Sequence, residues 1–157
     1  MDNYLKILEE SLRKKLQLLD QIADYNERQR EIFRSEKAAF DQFDESIEEK
    51  GKLIDQITKL DDGFEKLYAG VAEELKGNKD KYAQQIKKLQ LLVQQVTDKS
   101  VAVQAQEVRN KELIEEYFAR ERANIRQGRR NSKAAYNYYS NVNKSAYLSP
   151  QFLDSKQ

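Results

Sequence analysis

The sequence contains no cysteine, no histidine and no tryptophan, and it has one proline and five glycines in 157 residues. Each absence removes a class of explanation. Without cysteine there is no disulfide framework, no thiolate nucleophile and no sulfur-ligated zinc site. Without histidine, the side chain that most often moves protons near neutral pH is missing. Carboxylates, lysines and tyrosines remain, but none falls into a catalytic or metal-binding spacing. The chain therefore reads as a non-enzyme without cofactor or metal. No phosphate loop, dinucleotide fingerprint or zinc motif is present. No apolar run approaches the ~18 residues that a membrane span needs. The opening residues Met1 to Lys6 lack the basic-then-apolar order of a signal peptide, so a cytoplasmic address is expected.

Charge of one sign is also missing. Twenty-eight basic residues face 27 acidic ones, for a net charge of +1. Nucleic-acid binding rests on neutralising phosphates, and this balance argues against it. What the chain has in plenty is charge of both signs, 35% of residues, with a modest 39% hydrophobic share. Few turn formers and many Glu, Lys, Gln, Leu and Ala are the composition of long helices.

The apolar residues recur at alternating steps of three and four. One seam runs Leu5, Leu8, Leu12, Lys15, Leu19, Ile22, Asn26, Gln29, Phe33, Glu36, Phe40, Phe43, Ile47, Lys50, Ile54, Ile57, Asp61, Phe64, Tyr68, Val71 and Leu75. A second runs Tyr82, Ile86, Leu89, Val93, Val96, Ser100, Val103, Glu107, Asn110, Ile114 and Tyr117. Both are heptad-like seams with polar interruptions. Between them Lys76-Gly77-Asn78-Lys79-Asp80 reads as a helix break, with Gly77 and Asn78 able to take left-handed angles and Asp80 as the next N-cap. The first seam is too long to bury against the second, so it is expected to fold back. Arg34-Ser35-Glu36 is preferred over Asp61-Asp62-Gly63, because it leaves helices of more equal length. The expected fold is all-α: an antiparallel bundle or coiled coil of three or four long helices over residues 1–127.

After Gln127 the character changes. Residues 128–157 are rich in Tyr, Asn and Ser, contain the single proline, Pro150, and read as a flexible C-terminal tail. Ala135, Tyr139, Val142 and Ala146 share one helical stripe, flanked by Tyr136 and Tyr147, and Phe152 and Leu153 form a second anchor. Such a segment can fold as an amphipathic helix on a partner. The basic group Arg120, Arg122, Arg126, Arg129, Arg130 and Lys133 is diluted by Glu115, Glu116 and Glu121 and reads as a solvated helix end. In the seams, a buried Asn26, Lys50, Asp61, Ser100, Glu107 or Asn110 would set helix register, and Lys50 opposite an acidic layer would form an ion pair. Gly51, Gly63 and Gly70 interrupt the helical pattern and leave close approach or a bend as alternatives.

The order of these features resembles a known family. Leu5-Lys-Ile-Leu through Lys15-Leu-Gln-Leu-Leu-Asp-Gln-Ile22 leads to Asn26-Glu27 and Phe33. Phe43-Asp-Glu-Ser-Ile-Glu-Glu-Lys50-Gly-Lys-Leu-Ile-Asp-Gln-Ile-Thr-Lys-Leu60 and Phe64-Glu-Lys-Leu-Tyr68 follow, and the chain closes on Tyr147 and Pro150-Gln-Phe-Leu-Asp-Ser-Lys156. This is similar to the FlgN-type flagellar export chaperones, in their Gram-positive bacterial version. The resemblance implies a cytoplasmic helical chaperone for hook–filament junction proteins, the hook-associated proteins of the FlgK and FlgL type, delivered to the flagellar export apparatus. It places the grip on cargo in the C-terminal segment, which here means Tyr136, Tyr139, Val142, Tyr147, Phe152 and Leu153. The competing expectation from the residues is a self-associating coiled-coil scaffold, with homo-oligomerisation left open.

Overall fold

The computed structural model describes residues 1–34, 40–120 and the single position Tyr138. Three helices account for nearly all of this: α1 (Asp2–Arg34), α2 (Phe40–Gly77) and α3 (Ala83–Arg120). At 1.5 Å rise per residue they are roughly 50 to 57 Å long. The fold-back at Arg34 is where length matching placed it, and α2 runs unbroken through Asp61-Asp62-Gly63. The number of helices, left at three or four by the seams, is three among the described residues. Ser35 and Glu36 lie outside them.

The break after Leu75 is also where the sequence put it, but its chemistry differs. α2 ends at Gly77 without a left-handed backbone angle there. The carbonyls of its last turn are met by Asn78, whose side-chain amide donates to Glu74 O at 2.8 Å and whose backbone N–H donates to Leu75 O at 3.2 Å. The first bond of α3 runs from Ile86 N–H to Tyr82 O at 2.9 Å, so Tyr82, and not Asp80, occupies the N-cap position. Tyr82 is buried, and its ring closes this end of the bundle in place of a polar cap.

Cross-helix pairs give the topology. Lys15 meets Asp61 and Phe33 meets Phe43, so α1 and α2 are antiparallel. Glu9 meets Lys88, Asp20 meets Lys99 and Glu27 meets Arg109, so α1 and α3 run parallel, joined through α2. α1 packs against both other helices and therefore carries a wide buried stripe: Leu8, Leu12, Leu18, Leu19 and Ile22 are all nearly or fully inaccessible. Burying each such side chain contributes about 1.5–3 kcal/mol. In α2 the buried positions Phe43, Ser46, Lys50, Leu53 and Ile57 step by three and four, so the seam keeps a heptad but takes its alternate position one residue earlier than the apolar pattern suggests. Ser46 and Leu53 are buried, while Ile47 and Ile54 are only half-buried. Gly51, Gly63 and Gly70 sit inside α2 with open space where a side chain would go and no left-handed angle. Close helix approach is therefore not their role.

Candidate functional site

Seven polar seam residues are sealed in the bundle: Lys15, Asn26, Gln29, Lys50, Ser100, Glu107 and Asn110 are each at most 4% exposed. A charge or amide withdrawn from water this far is costly unless partnered. Ser100 bonds back to its own helix, its hydroxyl donating to Val96 O at 2.7 Å. Lys15 reaches across to α2 and donates to both carboxylate oxygens of Asp61, at 2.9 and 3.0 Å. Burial pushes the Asp61 carboxyl above its ordinary value, against the opposing pull of Lys15.

The other buried polar residues form one layer across all three helices. Lys50 Nζ in α2 lies 2.6 Å from Glu107 Oε1 in α3 and donates to Gln29 Oε1 in α1 at 3.0 Å. The Gln29 amide donates to Ser46 Oγ at 2.8 Å, and the Ser46 hydroxyl donates in turn to Phe43 O at 2.6 Å. Asn110 Nδ2 donates to Asn26 O at 2.9 Å, tying α3 to α1. Asn26 Nδ2 carries the chain of bonds to Gln106 at 3.0 Å. Glu27 and Arg109 close the rim at 3.0 Å, and the guanidinium holds the Glu27 carboxyl below its usual range. The ion pair expected of Lys50 opposite an acidic layer is thus formed, and the fold supplies Glu107 as its partner. Desolvation nevertheless dominates at Lys50 and pulls its ammonium down to about 8, while Glu107 opposes the shift.

Beyond this layer an aromatic cluster closes the same end of the bundle. Phe33 packs edge-on against Phe43 and Tyr117, with centroids at 4.9 and 5.6 Å, and Tyr117 against Phe118 at 5.9 Å. Tyr138 arrives on the polar layer from outside the three helices. It is 8% exposed, its hydroxyl donates to Glu107 Oε1 at 2.8 Å, and Lys50 Nζ lies 4.3 Å from its ring centroid. An open groove of about 650 Å³ lies between α1 and α2, walled by Tyr25, Arg28, Ile32, Gln42 and Glu45.

This arrangement can fix helix register and seat a phenol. Among the described residues no cluster of His, Asp and Glu could hold a metal ion. No described helix is long and apolar enough to cross a membrane. Tyr136, Tyr139, Val142, Tyr147, Phe152 and Leu153 all lie outside the described residues, as does the basic group beyond Arg120. Tyr138, between two of the candidate residues, escaped the sequence reading. The available signal was the pair of charges at Lys50 and Glu107, which need more cover than each other.

A family model described as "FlgN protein" matches residues 1–144 of the chain. Neither a curated protein nor a solved structure matches it significantly. The family match takes in all three helices, Tyr138, and the candidate residues Tyr136, Tyr139 and Val142.

Proposed function

The chain belongs to the FlgN family of flagellar export chaperones, and from that premise we propose that it holds hook–filament junction proteins in the cytoplasm through its C-terminal segment. Its cargo on this reading is a hook-associated protein of the FlgK or FlgL type, which it keeps unassembled and hands to the export apparatus. The observation that carries the proposal is the family match over residues 1–144, joined to the amphipathic pattern of the segment after Gln127. Filament-forming subunits carry apolar helical faces that adhere before assembly, and a matching helix can cover one such face. Ordering a segment on binding subtracts several kcal/mol from the affinity, which suits a cargo that must be released. In this role Tyr136, Tyr139, Val142, Tyr147, Phe152 and Leu153 contact cargo, with tyrosine supplying contact area at low entropic cost.

The test is binding of purified hook-associated protein by calorimetry to the full chain and to the double variant Tyr139→Asp, Val142→Asp. Loss of binding with unchanged helical content supports the C-terminal grip. Unchanged affinity sinks it. The competing reading, a self-associating scaffold, draws on the exposed Leu91, Val101 and Val108 of α3. It predicts a stable homo-oligomer in light scattering and no affinity for hook-associated proteins.

A further inference from the structure

Tyr138 has a built seat. Its phenol bridges α2 and α3, with two contacts of different kinds converging on one charge pair. The hydroxyl donates to Glu107 Oε1 at 2.8 Å, and the ring lies over Lys50 Nζ at 4.3 Å. Lys50 and Glu107 are 0% and 4% exposed with that ring in place. A phenol suits the position because its face attracts the cation while its hydroxyl feeds the anion. An aliphatic side chain would satisfy neither group.

The position of Tyr138 in the sequence connects this seat to cargo. At helical spacing Val142 falls four residues after Tyr138, which puts the two on one face. Val142 is also one of the residues proposed above to meet cargo. One face cannot lie on the bundle and on a cargo helix at once.

We infer that the Lys50–Glu107 pair is a docking site for the chain's own C-terminal segment, with Tyr138 as the pin, and that cargo binds by displacing it. This inference rests on the C-terminal grip proposed above. In the pinned state the grip is occupied. Apparent cargo affinity is then the intrinsic affinity reduced by the fraction of molecules that are unpinned.

The experiment uses the full chain and two variants. Tyr138→Phe removes only the hydroxyl and leaves Lys50 and Glu107 paired, so it preserves the bundle; Tyr138→Ala removes the pin altogether. Hydrogen exchange without cargo, read on peptides spanning Tyr138, tests the docking. Calorimetry with a purified hook-associated protein tests the competition. Expected are faster exchange around residue 138 in both variants and cargo binding tightened roughly 3- to 10-fold in Tyr138→Phe. Exchange around residue 138 that is equally fast in the parent chain and in Tyr138→Ala overturns the pin whatever cargo does. Slowed exchange in the parent chain, with Tyr138→Phe binding cargo equally or more weakly, overturns the competition. Slowed exchange with no cargo binding by any of the three proteins overturns the C-terminal grip itself, and the displacement with it.

Discussion

Replacing Glu107 by Gln isolates the charge balance of the buried polar layer. The change keeps the side-chain shape but removes the one anion that the described residues bring within reach of Lys50, whose ammonium is wholly inaccessible and lies 2.6 Å from Glu107. Gln29 Oε1 at 3.0 Å and the Tyr138 ring remain as partners, but neither carries a charge. Removing one member of a buried ion pair costs about 3–5 kcal/mol, mostly because the survivor stays buried. For a chain of this length that is a drop of roughly 6–20 °C in the unfolding midpoint. Urea and thermal unfolding followed by far-UV circular dichroism would measure it. The same reasoning demands recovery when the charges are removed together. The triple variant Lys50→Met, Glu107→Leu, Tyr138→Phe leaves no unpaired charge and no orphaned phenol, and should regain most of the lost stability. A loss below about 1 kcal/mol in Glu107→Gln, the size of an ordinary hydrogen bond, would refute the reasoning, as would a triple variant no more stable than the single one.

Three further outcomes follow from the same geometry. Lys50 holds its proton to only about 8 in the folded chain, against 10.5 when free. The unfolded chain therefore binds the extra proton between those values, and folding stability gains from Lys50 as pH rises through that window. Urea midpoints of the parent chain and of Lys50→Met across this range should show the gain only in the parent. The second ion pair should be asymmetric, because Lys15 is 1% exposed and Asp61 is 19% exposed. Asp61→Ala strands a buried ammonium and should cost about 3 kcal/mol, whereas Lys15→Met leaves a carboxylate that can reach water and should cost about 1 kcal/mol or less by urea unfolding. Finally, Gly63→Ala and Gly70→Ala place a methyl in open space inside α2. Each should raise stability by about 0.5–1 kcal/mol, and a loss in either would mean that the position needs a conformation only glycine takes.

Much of the architecture is local and so can be read along the chain. The three-and-four spacing from Leu5 to Leu75 and from Tyr82 to Tyr117 specifies helix, because only a 3.6-residue period places those side chains on one stripe. Polar intruders such as Lys15, Gln29 and Glu107 revealed themselves by sitting in phase with leucines, and all three are buried. Length matching located the fold-back at Arg34, since a bundle must cover its seams. Other features depend on how one helix slides and turns against another, which no periodicity along a single helix contains. That Lys50 meets Glu107, that α1 and α3 run parallel, and that Ser46 and Leu53 rather than Ile47 and Ile54 enter the core were decided only by packing. Tyr82, rather than Asp80, opens α3 because burying its ring closes that end of the bundle, a gain that local capping preference does not register. Tyr138 shows the limit most sharply. In the sequence it is one tyrosine among several, whereas in the folded chain it is the phenol that reaches the buried charge pair, because that pair exists only once α2 and α3 have been brought together.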